Sequence, residues 1–183
     1  MFDDLRVIRN TGRQNLNVER QVTAAETNDT TVSLREITGT NLRAILNLKV
    51  TTAQQKFYPR SNAYSIAEGH YPQDDDPVWI RAIYAGEVPV GFLMTSEAPD
   101  QGAYFLWRLM IDEHHQHQGY GFRAVELLVV RIEASPNPKT LLTSHLKADG
   151  DAGKFYEKLG FRYTGDVLNG NDHVMAIEFG REG

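Results

Sequence analysis

Cysteine is absent from all 183 residues. That absence removes disulfides, thiolate metal sites and cysteine nucleophiles together. No run of about 18 apolar residues is present, as a membrane span would need. The N-terminal stretch lacks the apolar core of a signal peptide. A cytoplasmic protein with no membrane partner is therefore expected. An excess of positive charge is also missing: the formal net charge is −5, whereas a nucleic-acid binder presents a basic patch. What the chain does have is 41% hydrophobic residues, which at this length suits one globular domain with a full core.

The chain is organised around Leu109 to Arg123. An apolar run from Tyr104 to Ile111 stops at Asp112 and Glu113, and Gln116-His117-Gln118-Gly119-Tyr120-Gly121 then opens a helix. Two glycines one residue apart let the backbone turn tightly and leave its amides uncovered. At a helix start those N–H groups have no intrahelical partner, and the macrodipole adds positive charge. Such a turn can cradle a pyrophosphate; the alternative is a plain glycine-rich strand-to-helix turn. Two other phosphate-binding patterns are excluded. Ala124 stands where a dinucleotide fingerprint needs its third glycine, and no Gly-Lys-Ser/Thr occurs.

Residues 1–30 are polar, without sustained apolar periodicity, and read as an extension to a domain spanning 31–180. Thr31–Ile37 alternates as a strand. Thr40 or Asn41 can cap a helix with Leu42, Ile45, Leu46 and Val50 on its apolar side, and Ser61 or Asn62 a second helix to about His70. Strands follow over 78–84, 89–95 and 104–111, the first two joined through Ala85-Gly86-Glu87. The helix after the cradle carries Phe122, Val125, Val129 and Ile132 on one face, and Ser135-Pro136-Asn137-Pro138 ends it. A strand over 140–146, a helix over 151–159 and strands over 161–167 and 173–179 complete an α/β plan with a mixed sheet.

Charge is uneven. Between Ser65 and Gly102 lie Glu68, Asp74, Asp75, Asp76, Glu87, Glu97 and Asp100, against the single base Arg81. Such a field would gather a cationic substrate; alternatively, Asp74 to Asp76 form a solvated loop. His114, His115 and His117 sit in a polar turn without organised partners, so no metal site is expected. Arg108 interrupts an apolar strand and needs a carboxylate, because an isolated buried charge is costly.

The Gln-x-x-Gly-x-Gly pattern after a strand resembles the acyl-CoA signature of the GNAT superfamily of N-acetyltransferases. Downstream, Asp149-Gly-Asp-Ala-Gly-Lys-Phe-Tyr-Glu-Lys-Leu-Gly-Phe161 resembles its C-terminal signature. A helix stop at Gly160 explains Leu159 to Phe161 structurally. It requires no tyrosine at 156, so Tyr156 is the informative residue; its structural alternative is an aromatic with one edge in the core. Leu106 to Asp112, Val167 to Met175 and the segment Leu48 to Glu68 are similar to the polyamine and diamine branch. The resemblance implies the GNAT fold, a mostly antiparallel mixed sheet of seven strands flanked by about four helices.

It further implies acetyl-CoA as co-substrate, no metal, and a small amine acceptor such as a polyamine or diamine, attacked directly in a ternary complex. A homodimer is compatible with it. By position, main-chain groups of Leu109, Met110 and Ile111 would hold the pantetheine, and a backbone N–H there would steady the oxyanion, a contribution of about 3 kcal/mol. Gln116, His117, Gln118, Gly119, Tyr120, Gly121 and Phe122 would hold the pyrophosphate. Phe122 replaces a basic residue common in the family; Arg123 either substitutes for it or forms a surface ion pair. Asp149 stands where members carry a CoA-contacting Asn, though its fixed charge would face a polyanion.

Tyr156 is implied as general acid toward the departing thiolate. A phenol of pKa about 10 is a reluctant donor to a thiolate of about 8.5, so transfer should be concerted with collapse of the tetrahedral adduct. The glutamate that some members place on the preceding strand is Ser144 here. Glu68 and Glu97 are the candidates for a base acting through water, or for acceptor binding; as solvated surface residues they would do neither. Rival acceptors are an aminoglycoside-type antibiotic or a protein amine, and the rival class is a non-catalytic CoA-binding module.

Overall fold

The computed structural model describes residues 31–57, 60–72, 76–148 and 152–180. The proposed extension over 1–30, Asp74, Asp75 and Asp149 lie outside the described residues. Seven strands form one sheet in the order β1-β2-β3-β4-β5-β7-β6. They are β1 (Val32–Arg35), β2 (Val78–Ala85), β3 (Val88–Ala98), β4 (Ala103–Ile111), β5 (Thr140–Leu146), β6 (Arg162–Leu168) and β7 (Asp172–Glu178). Only β4 and β5 run parallel; every other neighbouring pair is antiparallel. Four helices flank the sheet: α1 (Leu42–Asn47), α2 (Asn62–His70), α3 (Tyr120–Glu133) and α4 (Gly153–Lys158). This is the GNAT fold expected from the sequence.

Local chemistry sets the elements. The Ser61 hydroxyl accepts from Tyr64 N and caps α2. The Asn62 amide then donates to the carbonyls of Ile45 and Leu48, 2.9 and 2.8 Å away, and so ties the open end of α1 to the start of α2. α1 stops at Asn47, leaving Val50 beyond it. β3 runs three residues past its expected end because Ser96 and Glu97 are buried, although their polarity suggested a turn.

α3 lies on one face of the sheet. Val125, Leu128, Val129 and Ile132 pack there against Ile83, Leu93, Tyr104 and Leu106, each fully buried aliphatic side chain contributing about 2 kcal/mol. α4 extends the same layer through Tyr156, Leu159 and the following Phe161. α1 and α2 cover the opposite face, with Ile45 and Ile66 against Ala82, Phe92 and Met94.

Candidate active site

The β4–β5 ladder runs from Ala103↔Thr140 to Leu106↔Thr143 and goes no further. Beyond that fork β4 continues to Ile111 beside β3 alone, and β5 to Leu146 beside β7 alone. The cause lies in β4. Its register with β3 moves from Thr95↔Leu106 to Met94↔Arg108, so Trp107 is an extra residue. A bulge of this kind bends its strand. It also breaks the in–out alternation. Trp107 packs toward the α2 face, and Arg108 does too, where its Nε donates to Ser65 Oγ at 3.2 Å. Leu109 and Ile111 turn to the α3 face, and Met110 to the α2 face. Main-chain groups of Leu109, Met110 and Ile111 thus line a split in the sheet, as the sequence implies.

The glycine turn sits at the wide end of this split. Gly119 is the N-cap of α3 with φ 81°, a left-handed value that side chains resist. The first bond into the helix is Arg123 N to Gly119 O. The amides of Tyr120, Gly121 and Phe122 therefore lie in the first turn, where no earlier carbonyl reaches them. Gly121 serves close approach: a Cβ there would stand 3.3 Å from Ile111 and 3.6 Å from Phe155. The rings of Tyr120 and Phe122 pack against the main core. His117 is left-handed too, at φ 61°, and Gln118 Nε2 reaches only the His114 carbonyl at 3.5 Å. The Gln116 amide is committed to the frame, donating to Ile111 O at 2.9 Å and to Gln54 Oε1 at 2.7 Å. Arg123 forms the surface ion pair, 2.8 Å from Glu126.

Asp112, buried, fixes the turn from the other side. Its Oδ2 accepts from Lys49 N at 2.8 Å and its Oδ1 from His114 N at 3.1 Å. Asp112 and Gln54 thus join the cradle to the segment between α1 and α2. Sequence reasoning missed both, since neither belongs to a motif.

Tyr156, on α4, stands beside the fork. Its ring packs edge-on against Phe155 and Phe161, with centroids 5.2 and 5.4 Å away. His145 of β5 lies 6.4 Å from it. The phenol hydrogen-bonds the Thr143 hydroxyl, and Thr143 Oγ1 donates to Leu106 O at 3.2 Å. Burial raises the Tyr156 pKa above the ordinary phenol value, and the Thr143 bond offsets part of that. His145 also escaped the sequence reading. Its Nδ1 faces the Leu146 carbonyl at 3.1 Å and so carries the proton, leaving Nε2 to accept from Tyr163 OH at 3.0 Å. Ser144 pairs with Val174 on β7 and takes the next position along from Thr143, on the alternate face.

The two candidate carboxylates part company. Glu97 is buried and pairs across the ladder with Tyr104, five residues and roughly 17 Å of strand from Leu109. Arg131 binds it in bidentate fashion, at 2.7 and 3.0 Å, and Thr95 Oγ1 donates to it at 2.7 Å. Neither the solvated role nor placement beside the split fits that setting. Glu68, on α2, is near the α2-face side of the split. Arg60 donates to its Oε1 at 2.8 Å, and Arg108 Nη2 is 3.9 Å from Oε2. That pairing answers the expectation for Arg108. Glu68 Oε2 is buried and accepts no hydrogen bond among the described residues. Among the described residues no three His, Asp or Glu side chains gather as metal ligands, and no helix is long and apolar enough to cross a membrane.

A sheet forked between parallel strands, with a glycine-opened helix at its mouth, is the frame of an acyl-CoA-dependent transferase. The chain belongs to the acetyltransferase (GNAT) family, whose profile matches residues 42–161, and it is an acetyltransferase. It is 26% identical over 155 residues to the spermine/spermidine N(1)-acetyltransferase of Bacillus subtilis (strain 168), covering 80% of this chain and 98% of that one. An aminoglycoside acetyltransferase in complex with coenzyme A superposes with TM-score 0.65 at 17% identity, covering 81% of this chain and 95% of the other. The spermidine N-acetyltransferase of Vibrio cholerae, in complex with CoA and spermine, gives 0.62 at 16% identity, with 80% and 95% covered.

Proposed function

We propose that this acetyltransferase moves the acetyl group of acetyl-CoA to a primary amine of a polyamine or diamine, by direct attack in a ternary complex. The observation that carries the reading is Tyr156 beside the last β4–β5 pair, an acid held where the two strands part. The polyamine acceptor is supported by the 26% identity to a spermine/spermidine acetyltransferase.

The fork and the uncovered amides fit acetyl-CoA. The main chain of Leu109, Met110 and Ile111 would extend along the pantetheine arm, and one N–H there would steady the developing oxyanion. The amides of Gly119, Tyr120, Gly121 and Phe122 would receive the pyrophosphate at the start of α3, with the backbone of Gln116, His117 and Gln118 shaping the turn. Acetyl-CoA supplies the activated acyl group. Tyr156 gives its phenolic proton to the departing sulfur. Glu68 is the carboxylate proposed to receive the acceptor's ammonium and, through water, its proton; Oε2 is the oxygen still open to a hydrogen bond.

The test is thiol release from acetyl-CoA across an amine panel. Turnover with spermidine and diamines, and none with aminoglycosides or peptide amines, is the expected result. Turnover with aminoglycosides alone would overturn the acceptor assignment and keep the acetyltransferase. Tight CoA binding with no turnover on any amine would favour a binding module.

A further inference from the structure

Tyr156 is the only ionisable group named so far for proton donation to sulfur, yet an acid is useful only if something steadies the oxygen it leaves behind. Buried phenolate is costly. Around the ring, α4 contributes Phe155, the chain after α4 contributes Phe161, and neither can donate a hydrogen bond to it. β5 contributes Thr143 and the titratable His145. The His145 ring nitrogens face Leu146 O and the Tyr163 hydroxyl. Thr143 remains. It is almost wholly buried, at 1% exposure, and it forms the last rung of the β4–β5 ladder opposite Leu106. Its hydroxyl proton is directed at Leu106 O, 3.2 Å away. With that proton spent, the Tyr156–Thr143 bond has one consistent sense: the phenol donates and Thr143 Oγ1 accepts.

We propose that Thr143 is the positioning residue of the acid, aiming the Tyr156 phenol at the fork in the resting enzyme and turning its own O–H onto the phenol oxygen as the proton leaves. The proposal rests on the reading of Tyr156 as general acid. In the transfer the Tyr156 O–H bond breaks and a sulfur–hydrogen bond forms, so the phenol oxygen becomes negative. A rotation about the Thr143 Cβ–Oγ bond moves its hydrogen from Leu106 O to that oxygen. No proton leaves Thr143. Tyr156 regains its proton from the amine's released proton or from water before the next turnover. The position explains why a hydroxyl stands between Leu142 and the polar end of β5. At this rung β4 and β5 cease to bond each other, and a single side chain can reach both the last shared carbonyl and the α4 layer.

Thr143→Val keeps the shape and removes the hydroxyl; Thr143→Ser restores it. Two readouts are needed: steady-state kinetics, and the titration of Tyr156 in the ligand-free protein by NMR of 13C-labelled tyrosine, its signal assigned by its loss in Tyr156→Phe. Thr143→Val is expected to lose about tenfold in kcat, equivalent to about 1.4 kcal/mol, with KM for acetyl-CoA unchanged. Its Tyr156 signal is expected to titrate at higher pH than in the wild type, because the only bond favouring the phenolate is gone. Thr143→Ser should recover both. His145 titrates near neutrality and so does not confuse a phenol signal in the alkaline range. A wild-type kcat together with an unmoved Tyr156 titration in Thr143→Val would overturn the role of Thr143 while leaving the acid in place. A wild-type rate in Tyr156→Phe would overturn the acid itself, and the proposal with it, whatever the titration showed.

Discussion

Arg131 of α3 grips Glu97 of β3 with both guanidinium nitrogens, Nη1 at 2.7 Å from Oε1 and Nη2 at 3.0 Å from Oε2. The guanidinium also lies 3.9 Å from the centre of the Trp79 ring. Charge, hydrogen bonds and stacking converge on one contact between a helix and the sheet. Glu97→Gln should therefore lower stability by about 2 kcal/mol, the scale of a hydrogen-bonded charge, while KM for the amine stays as in the wild type. Denaturant melts and amine kinetics on one variant check both halves.

Glu68→Gln should behave in the opposite way. Its KM for a triamine is expected to rise at least several-fold with acetyl-CoA binding unchanged, and kcat should also fall if the carboxylate relays the proton. An unchanged KM and kcat would move acceptor binding elsewhere.

Gly119→Val should cut acetyl-CoA affinity by about tenfold or more, since a left-handed β-branched residue costs on the order of 1–2 kcal/mol before any amide is covered. Calorimetric titration reads this directly. An unchanged affinity would remove the glycine turn from the binding site.

Tyr156→Phe should keep KM for acetyl-CoA and lose about 10²-fold in kcat. The pH profile adds a sign. The acid must hold its proton, so activity is sustained below the Tyr156 pKa and lost above it. Because burial raises that pKa, the alkaline decline should begin above the range of an ordinary phenol and vanish in Tyr156→Phe.

Asn62→Ala should destabilise by about 2 kcal/mol, because two carbonyls at the end of α1, those of Ile45 and Leu48, lose their donor at a buried site. Thermal unfolding with unchanged acetyl-CoA affinity is the expected pattern.

The element order and the glycine turn were legible in the sequence because both are written locally, in period and in turn chemistry. The charge balance was not. Counting Ser65 to Gly102 found seven carboxylates facing one base, yet Arg35 binds Glu87, Arg60 binds Glu68 and Arg131 binds Glu97. All three arginines lie outside the counted window, and two of the contacts span 34 and 52 residues. Steering of a cation by this segment is weakened accordingly. Thr143 was invisible for a similar reason. A threonine is ordinary in a strand, and only the end of the β4–β5 ladder gives its hydroxyl a task.

The extra residue at Trp107 also makes the length of β4 a matter of counting. Side chains alternate faces with a period of two, so removing one residue between Leu106 and Leu109 would reverse every position after it. Arg108 would be sent into the apolar layer under α3, and Leu109 toward Ser65 and Glu68. Substitution along this stretch changes one contact at a time, whereas a single deletion exchanges the cofactor side of the split for the acceptor side. Among the variants this fold can explore, those that keep the parity of β4 keep the enzyme.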